Sequence, residues 1–213
     1  MFFYIHNKSK SIDLISPINS KSFQHVYFIY ILAKNTMLNP PRERLLEAAT
    51  ILFHRQGYNN TGVNQIITES KVSKASFYDH FKSKDELCIA FLEKRYEYWA
   101  SQWELFISKA TTLKEKILQS FDFLVYISEK ENFRGCSFLN ISSEIPDDKI
   151  HIHETIRVHK HQIRSFFISE IKDEILADHI YLLFEGAIMM GRIYRNNELT
   201  LRSKTIVNKL LKD

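Results

Sequence analysis

Residues 61–87, TGVNQIITESKVSKASFYDHFKSKDEL, carry the pattern of two short helices joined by a tight polar turn. Val63, Ile66 and Ile67 stand at positions i, i+3 and i+4, a spacing that places apolar side chains on one face of a helix. After a polar break, Val72 follows as a single apolar residue that fits the angle between two crossing helices. The stretch therefore predicts a helix-turn-helix.

The second helix of this pair is predicted to start after Ser73, a good N-cap residue. Phe77 and Phe81, one turn apart, are expected to anchor it to the interior. The remaining face carries small, hydrogen-bonding and cationic groups that suit a DNA major groove about 12 Å wide. These residues are Lys74, Ala75, Ser76, Tyr78, Asp79 and His80.

Local charge supports DNA contact better than overall charge does. The net charge is +4, and the first 35 residues supply +3 of it through four lysines against one aspartate. Across the turn and the second helix, Lys71, Lys74, Lys82 and Lys84 against Asp79 also leave +3. Such a local excess is suited to binding backbone phosphates.

A supporting helix is predicted just before this stretch, over residues 42–56. Leu45, Ala49, Leu52 and Phe53 form its apolar face, and Gly57 can end it. Three helices would then close a small core. The alternative is a helical hairpin inside an ordinary all-α domain, with its lysines merely solvated.

The 61–87 stretch resembles the signature of the TetR family of bacterial transcriptional regulators. The matching positions are Thr61, Val63, Ile66, Val72, Ser73, Lys74, Phe77, Tyr78, His80, Phe81, Lys84 and Leu87. Gly62, Ser70 and Lys71 depart from the residues common in the family, and the family usually has glycine at the position of Lys71. A left-handed conformation there costs a lysine about 1 kcal/mol, which a folded domain tolerates.

The resemblance implies an all-α fold with two domains: a three-helix helix-turn-helix DNA-binding domain over residues 37–84, and a helical-bundle ligand-binding and dimerisation domain over residues 85–213. It also implies DNA contacts position by position. Phosphate contacts are expected from Lys74, Tyr78, His80 and Lys84, and base-edge contacts from Asn64, Ser76 and Asp79, while Thr61, Ser73 and Ala75 complete the interface.

Residues 1–36 differ in composition from the rest of the chain. Their apolar run at 26–33, VYFIYILA, is shorter than the roughly 20 residues that span a bilayer, and it lacks the flanks of a signal peptide. We expect either an upstream-start artefact, with Met37 as the biological start, or a disordered or partly helical extension. Cys88 and Cys136 are too few for a disulfide framework, so we predict a cytoplasmic protein without membrane contact.

Beyond residue 87, helical spacing continues without strand alternation. The sequence predicts a long helix to about Phe106, a helix opened by the capping box Thr112 to Glu115, and a short helix over 136–145. A long helix after Pro146 and two final helices, over about 173–195 and 199–211, complete the chain.

Aromatic residues are frequent in this helical region, and helix bundles host apolar ligands between their helices. The candidate lining of a pocket for an unknown small-molecule effector is Trp103, Phe106, Phe121, Tyr126, Phe138, Tyr181 and Phe184. Plain core packing is the alternative for each of them.

A homodimer is expected because one recognition helix covers too few base pairs for a specific site. Glycine within a helix costs about 1 kcal/mol relative to alanine, and close approach of a second subunit would offset this cost in the penultimate helix. The predicted interface comprises Ile180, Phe184, Ala187, Ile188, Gly191, Ile206 and Leu210. Packing of this face within one subunit is the alternative.

Other chemistry finds little support in the sequence. The histidines at 151, 153, 159 and 161 form no i, i+4 pair, so we predict no metal site, and we expect no cofactor. A thiol sensor at Cys136 remains an alternative. Phosphate loops, H-E-x-x-H motifs and nucleophile elbows are absent from the sequence, which argues against an enzyme.

The sequence therefore predicts a homodimeric, ligand-responsive repressor that binds a palindromic operator in double-stranded DNA and is released by a small molecule. One alternative is a constitutive DNA-binding protein, whose operator binding no ligand weakens. The other is an all-helical enzyme.

Overall fold

The computed structural model describes residues 39–211, and every regular element within that range is an α-helix. The helices are α1 (Pro41–Gln56), α2 (Val63–Ser70), α3 (Lys74–His80), α4 (Lys84–Ile107), α5 (Leu113–Lys130), α6 (Ser137–Ser142), α7 (Ile150–Ile171), α8 (Glu174–Tyr194) and α9 (Glu198–Leu210). The all-α prediction is confirmed. The predictions for residues 1–36 and for the start at Met37 lie outside the described residues.

Local sequence explains most helix ends. Pro41 occupies the first position of α1, where its missing N–H is not needed, and Gly57 follows the helix with φ +87°. The Ser73 hydroxyl accepts a hydrogen bond from the Ser76 N–H and caps α3. The predicted capping box at Thr112 opens α5.

The short helix predicted over 136–145 was too long, because α6 ends at Ser142. Turn-type backbone hydrogen bonds continue to Ile145, and the Glu144 carboxylate accepts a hydrogen bond from the Asn59 N–H at 2.9 Å. The Asn59 side chain returns a hydrogen bond to the Glu144 carbonyl at 2.6 Å. The segment after α6 is thereby tied to the loop before α2.

Two apolar clusters form the interior. The first joins α1, α2 and α3 to the start of α4, and it also includes Phe138 and Ile141 of α6 and Ile152 and Ile156 of α7. The second collects apolar residues of α4, α5, α7, α8 and α9 around Phe121 and Phe184. The core of the helix-turn-helix therefore continues across the predicted domain boundary at residue 84.

Within residues 39–211, no helix is long and apolar enough to cross a membrane. The same range contains no cluster of three or more histidine, cysteine, aspartate or glutamate side chains arranged to hold a metal ion.

The left-handed backbone conformation of Lys71 should lower the stability of the protein, and replacement by glycine tests this. Lys71 has φ 53° directly after α2, so Lys71→Gly should raise the free energy of unfolding by about 1 kcal/mol. Urea unfolding at one fixed protein concentration measures the change. Lys94→Gly, the same exchange inside α4, is the control and should lower the free energy of unfolding by about 1 kcal/mol. Destabilisation by Lys71→Gly would contradict the strain assigned to this turn.

Candidate DNA-binding surface and cavity

The turn between α2 and α3 is held by apolar packing and by hydrogen bonds from α1. Val72 and Phe77 are buried in the first apolar cluster. From α1, the Arg44 guanidinium donates hydrogen bonds to the carbonyls of Ser70 and Lys71 at 3.2 and 3.0 Å. The two short helices are thereby held at a fixed angle to α1.

The outer face of α3 is open to solvent. Lys74, Ala75, Tyr78 and Asp79 are exposed, whereas Ser76 and His80 are half-buried. On α2, the predicted base-contacting residue Asn64 is also exposed. The helix-turn-helix therefore presents most of the predicted DNA-contacting residues on its surface.

Two of the predicted DNA-contacting residues have clear roles inside the domain. Thr61 is fully buried, and its hydroxyl donates to the Gly57 carbonyl at 2.7 Å. Ser73 caps α3 through its side chain. Thr61 thus holds the loop between α1 and α2, and Ser73 fixes the start of α3; a DNA role for either residue stays a prediction.

Lys84, at the start of α4, points into the protein. Its ammonium donates to the carbonyls of Tyr58 and Thr61 at 3.2 and 3.3 Å and lies 3.8 Å from the centre of the Tyr58 ring. Burial lowers the pKa of Lys84, although the neighbouring Asp85 carboxylate opposes this. In this structure, Lys84 ties α4 to the loop before α2.

Asp85 connects this loop to α7. The Tyr58 hydroxyl donates a hydrogen bond to the Asp85 carboxylate, and the Lys149 ammonium pairs with the same carboxylate at 2.7 Å. Burial and the bond to Asp85 raise the pKa of Tyr58. Sequence reasoning missed this cluster, since no local spacing links residues 85 and 149.

A second set of contacts joins α1 to the loop and helix around α6. The Arg134 guanidinium donates to the His54 carbonyl at 2.5 Å. The Ser137 hydroxyl and the His54 Nδ1 lie 3.3 Å apart. The end of α1 thus rests on the segment that also forms one wall of an internal cavity.

This cavity lies among α4, α5, α6, α7 and α8 and has a volume of about 40 Å³. Its walls are mainly apolar, with three charged groups: Arg95 of α4, Glu131 just after α5 and Lys160 of α7. Arg95 binds both carboxylate oxygens of Glu131 at 2.9 Å. The lining residues are Arg95, Trp99, Leu124, Ile127, Ser128, Glu131, Gly135, Cys136, Ser137, Phe138, His159, Lys160, Ile163 and Ile188.

Of the predicted ligand-lining residues, the structure places only Phe138 in the wall of this cavity. Phe121 and Phe184 are fully buried in the second apolar cluster, and the Trp103 indole donates to the Ser120 hydroxyl at 2.9 Å. Phe106, Tyr126 and Tyr181 are absent from the lining as well. Helical spacing predicted which residues form the apolar faces of these helices. It could not predict which of those faces line a cavity and which are closely packed.

Part of the predicted dimer interface is buried within the subunit. Ile180, Phe184 and Ala187 pack in the second cluster, and Gly191 is also buried, so these residues are unavailable to a partner. Ile188 lines the cavity. Ile206 and Leu210 are exposed. Ile180, Phe184, Ala187 and Gly191 thus pack within the subunit, and the dimer interface itself stays a prediction.

Comparison with known proteins identifies relatives of both the helix-turn-helix and the helices that follow it. Residues 45–91 match the family described as bacterial regulatory proteins, tetR family. The transcriptional regulator LmrA of Bacillus subtilis is 29% identical over 182 residues, which cover 80% of this chain and 96% of LmrA. The transcriptional repressor DhaR of Mycobacterium sp. is 25% identical over 185 residues, which cover 81% and 92% of the two chains.

A solved structure extends the likeness to nearly the whole described chain. The crystal structure of a TetR transcriptional regulator from Streptomyces avermitilis is 30% identical, with a TM-score of 0.71. The match covers 80% of this chain and 97% of that one. With its helix-turn-helix and its helical body both matched, this chain belongs to the TetR family of helix-turn-helix transcriptional regulators.

Proposed function

We propose that the protein is a homodimeric repressor that binds a palindromic operator and is released when a small molecule binds among its C-terminal helices. The observation that carries the proposal is the exposed polar face of α3, on a helix-turn-helix that Arg44 and the apolar core hold rigidly. The name of the relative DhaR, a transcriptional repressor, favours repression as the direction of control.

In the proposed complex, α3 of each subunit enters the major groove. Lys74 and Tyr78 contact phosphates, and Asn64 and Asp79 face base edges, because all four are exposed on the helix-turn-helix. Lys84 acts as a positioning residue, since its ammonium is already engaged by two carbonyls.

The proposed dimer uses an exposed apolar stripe along α8. Ile175, Leu182 and Ile193 are 73%, 65% and 60% exposed, and their spacing places them on one helix face. Gly186 lies on the same face, with open space where a Cβ would stand, so a second helix can approach closely. On α9, Ile206 and Leu210 are exposed apolar residues as well. A large exposed apolar patch of this kind is typical of a protein interface.

The proposed effector site is the cavity beside α6. Phe138 of α6 lines it, and neighbouring Ser137 and Arg134 contact His54 of α1, so a ligand that displaces α6 also changes the support of the helix-turn-helix. Such coupling typically amounts to about 1–3 kcal/mol. The small volume of the cavity favours a second candidate, a constitutive DNA-binding protein, for which no small molecule would weaken operator binding.

The relatives are transcriptional regulators, and we propose that this protein likewise acts without catalysis. The interior carboxylates support this, because Glu144 accepts a hydrogen bond from the Asn59 backbone and Glu185 pairs with Lys160.

Selection of bound DNA from a random pool tests the proposed function directly. The protein should enrich an inverted repeat whose half-sites are separated by about one helical turn or a multiple of it, as two symmetric recognition helices require. Gel-shift titration of the enriched sequence against a scrambled one measures the preference. Enrichment of a single unrepeated site, or of none, would refute the dimeric repressor.

Lys74→Ala tests the phosphate contacts. The variant should bind the selected operator and unrelated DNA more weakly by similar factors, and the slope of log affinity against log salt should fall by about 1. Lys109→Ala is the control, because Lys109 lies beyond the far end of α4, roughly 35 Å from Lys84 along a helix of this length. An equal loss in both variants would contradict the docking.

Lys84→Met separates positioning from phosphate contact. Loss of the ammonium leaves two carbonyls without a charged donor, so the free energy of unfolding should fall by about 1.5–3 kcal/mol. Lys74→Ala should leave it nearly unchanged, because Lys74 is exposed. Urea unfolding of both variants measures the difference.

Leu182→Glu tests the dimer face. Two carboxylates would meet across a symmetric interface, so light scattering at micromolar concentration should change from the dimer mass to the monomer mass. Leu105→Glu on α4 is the matched control, because Leu105 is 66% exposed against 65% for Leu182. Dissociation in both variants, or a monomeric parent protein, would exclude the proposed interface.

A further inference from the structure

Cys136 lies in the wall of the internal cavity and is only half-buried. From α7, the Lys160 ammonium reaches its sulfur at 3.6 Å. The same ammonium pairs with the Glu185 carboxylate at 2.6 Å. The thiol and the cation therefore both line the cavity, and the Glu185 carboxylate pairs with the cation.

The lysine keeps its charge in this setting. Burial by itself would lower the pKa of Lys160, but the neighbouring Cys136 and Glu185 outweigh burial and raise it. The Lys160 ammonium thus remains a positive charge and a proton donor 3.6 Å from a partly accessible sulfur, the electropositive setting in which reactive cysteines occur.

Cys88 has the opposite surroundings. It is fully buried in the first apolar cluster, and burial raises the pKa of its thiol. A cysteine in such surroundings is inert. The chain thus contains an internal reference for any thiol reaction at Cys136.

The cavity also contains a polar group without a partner. His159 is 95% buried and lines the cavity, and its Nδ1 makes no hydrogen bond. Burial lowers the pKa of His159 to about 3, so the ring is neutral near neutral pH. Because buried polar atoms are normally paired, this nitrogen points to a bound molecule that carries a hydrogen-bonding group.

We propose that Cys136 is the covalent attachment site for a small α,β-unsaturated carbonyl compound, with Lys160 as the proton donor beside it. As a regulatory site, this proposal rests on the proposed function, because it identifies the effector as an electrophile. The proposal that Cys136 is an attachment site rests only on the geometry of the cavity and does not depend on the proposed function.

The reaction is an addition that needs no oxidant. The Cys136 thiol releases its proton to solvent, and the thiolate forms a C–S bond to the β-carbon. The C=C π bond breaks, and its electrons move to the carbonyl oxygen as an enolate. The enolate takes a proton from the Lys160 ammonium, which regains one from solvent, so the net change is addition of the thiol across the double bond.

Cavity volume limits the size of the electrophile. About 40 Å³ holds roughly three water molecules at 10–15 Å³ each. Acrolein suits this space, whereas N-phenylmaleimide is too bulky without rearrangement of α6. The site should therefore select for small compounds.

An adduct at Cys136 would act on the support of the helix-turn-helix. Ser137, the next residue, lies 3.3 Å from the His54 ring, and Arg134 donates to the His54 carbonyl. A group attached between these two contacts pushes α6 against α1. We expect weaker operator binding as the result.

Peptide mapping by mass spectrometry tests the attachment site on the full chain. With one equivalent of acrolein, the adduct should form on Cys136 and not on Cys88, and Cys136 should react about tenfold faster than free N-acetylcysteine. N-phenylmaleimide should react more slowly than acrolein at this position relative to the free thiol. Labelling of Cys88 to the same extent, labelling confined to lysines, or a Cys136 rate no faster than the free thiol would overturn the proposal.

Variants of Lys160 isolate the role of the charge. Lys160→Met should slow the labelling of Cys136 about tenfold, and Lys160→Arg should retain most of the rate. Unchanged labelling in Lys160→Met would refute the part assigned to the ammonium. If that variant does not fold, the comparison of Cys136 with Cys88 and free thiol in the parent protein still decides the question.

The regulatory consequence has its own measurement. Acrolein should weaken operator binding of the parent protein and of Cys88→Ser, but not of Cys136→Ser. An adduct on Cys136 with unchanged operator binding would overturn the electrophile as effector. A protein that is labelled at Cys136 but binds no operator would refute the proposed function and leave the attachment site standing.

Discussion

The helix-turn-helix depends on burial against its neighbours, because its two helices are too short to be stable alone. Helices α2 and α3 have eight and seven residues, whereas isolated helices shorter than about 12–15 residues are marginal in water. Ile66, Val72 and Phe77 provide the missing stability by packing into the first apolar cluster. Arg44 then binds the carbonyls of the turn. The exposed face of α3 is free to contact DNA because its opposite face is fixed.

The same dependence links the DNA-binding region to the rest of the chain. Its apolar cluster includes residues of α6 and α7, and polar contacts at His54, Asn59 and Asp85 reinforce this connection. Ser137 of α6 lines the cavity and also contacts His54 of α1. Under the proposed function, a molecule bound in the cavity would act directly on residues that support the helix-turn-helix, without a distant relay.

Buried charge gives the cavity its chemical character. Lys160 and Glu185 are both largely shielded from solvent, and their pairing at 2.6 Å offsets the cost of removing each charge from water. One Glu185 oxygen and the His159 Nδ1 remain without partners. His159, Lys160 and Cys136 line the cavity and distinguish it from an ordinary packing gap, which would be lined by apolar atoms alone.

The sequence by itself determined the all-α fold, the bounds of most helices, the helix-turn-helix and the left-handed turn at Lys71. These features follow from local rules: apolar spacing, capping residues and turn chemistry act over a few positions. Only the tertiary structure decided which apolar faces are buried within the subunit, as Ile180 and Phe184 are, and which remain free, as Leu182 is. It alone turned Lys84 inward and brought Lys160 to Cys136 across 24 positions. These contacts depend on how helices that are distant in the sequence pack together. Helical periodicity predicts that a helix has an apolar face, but it does not predict which other helix covers that face.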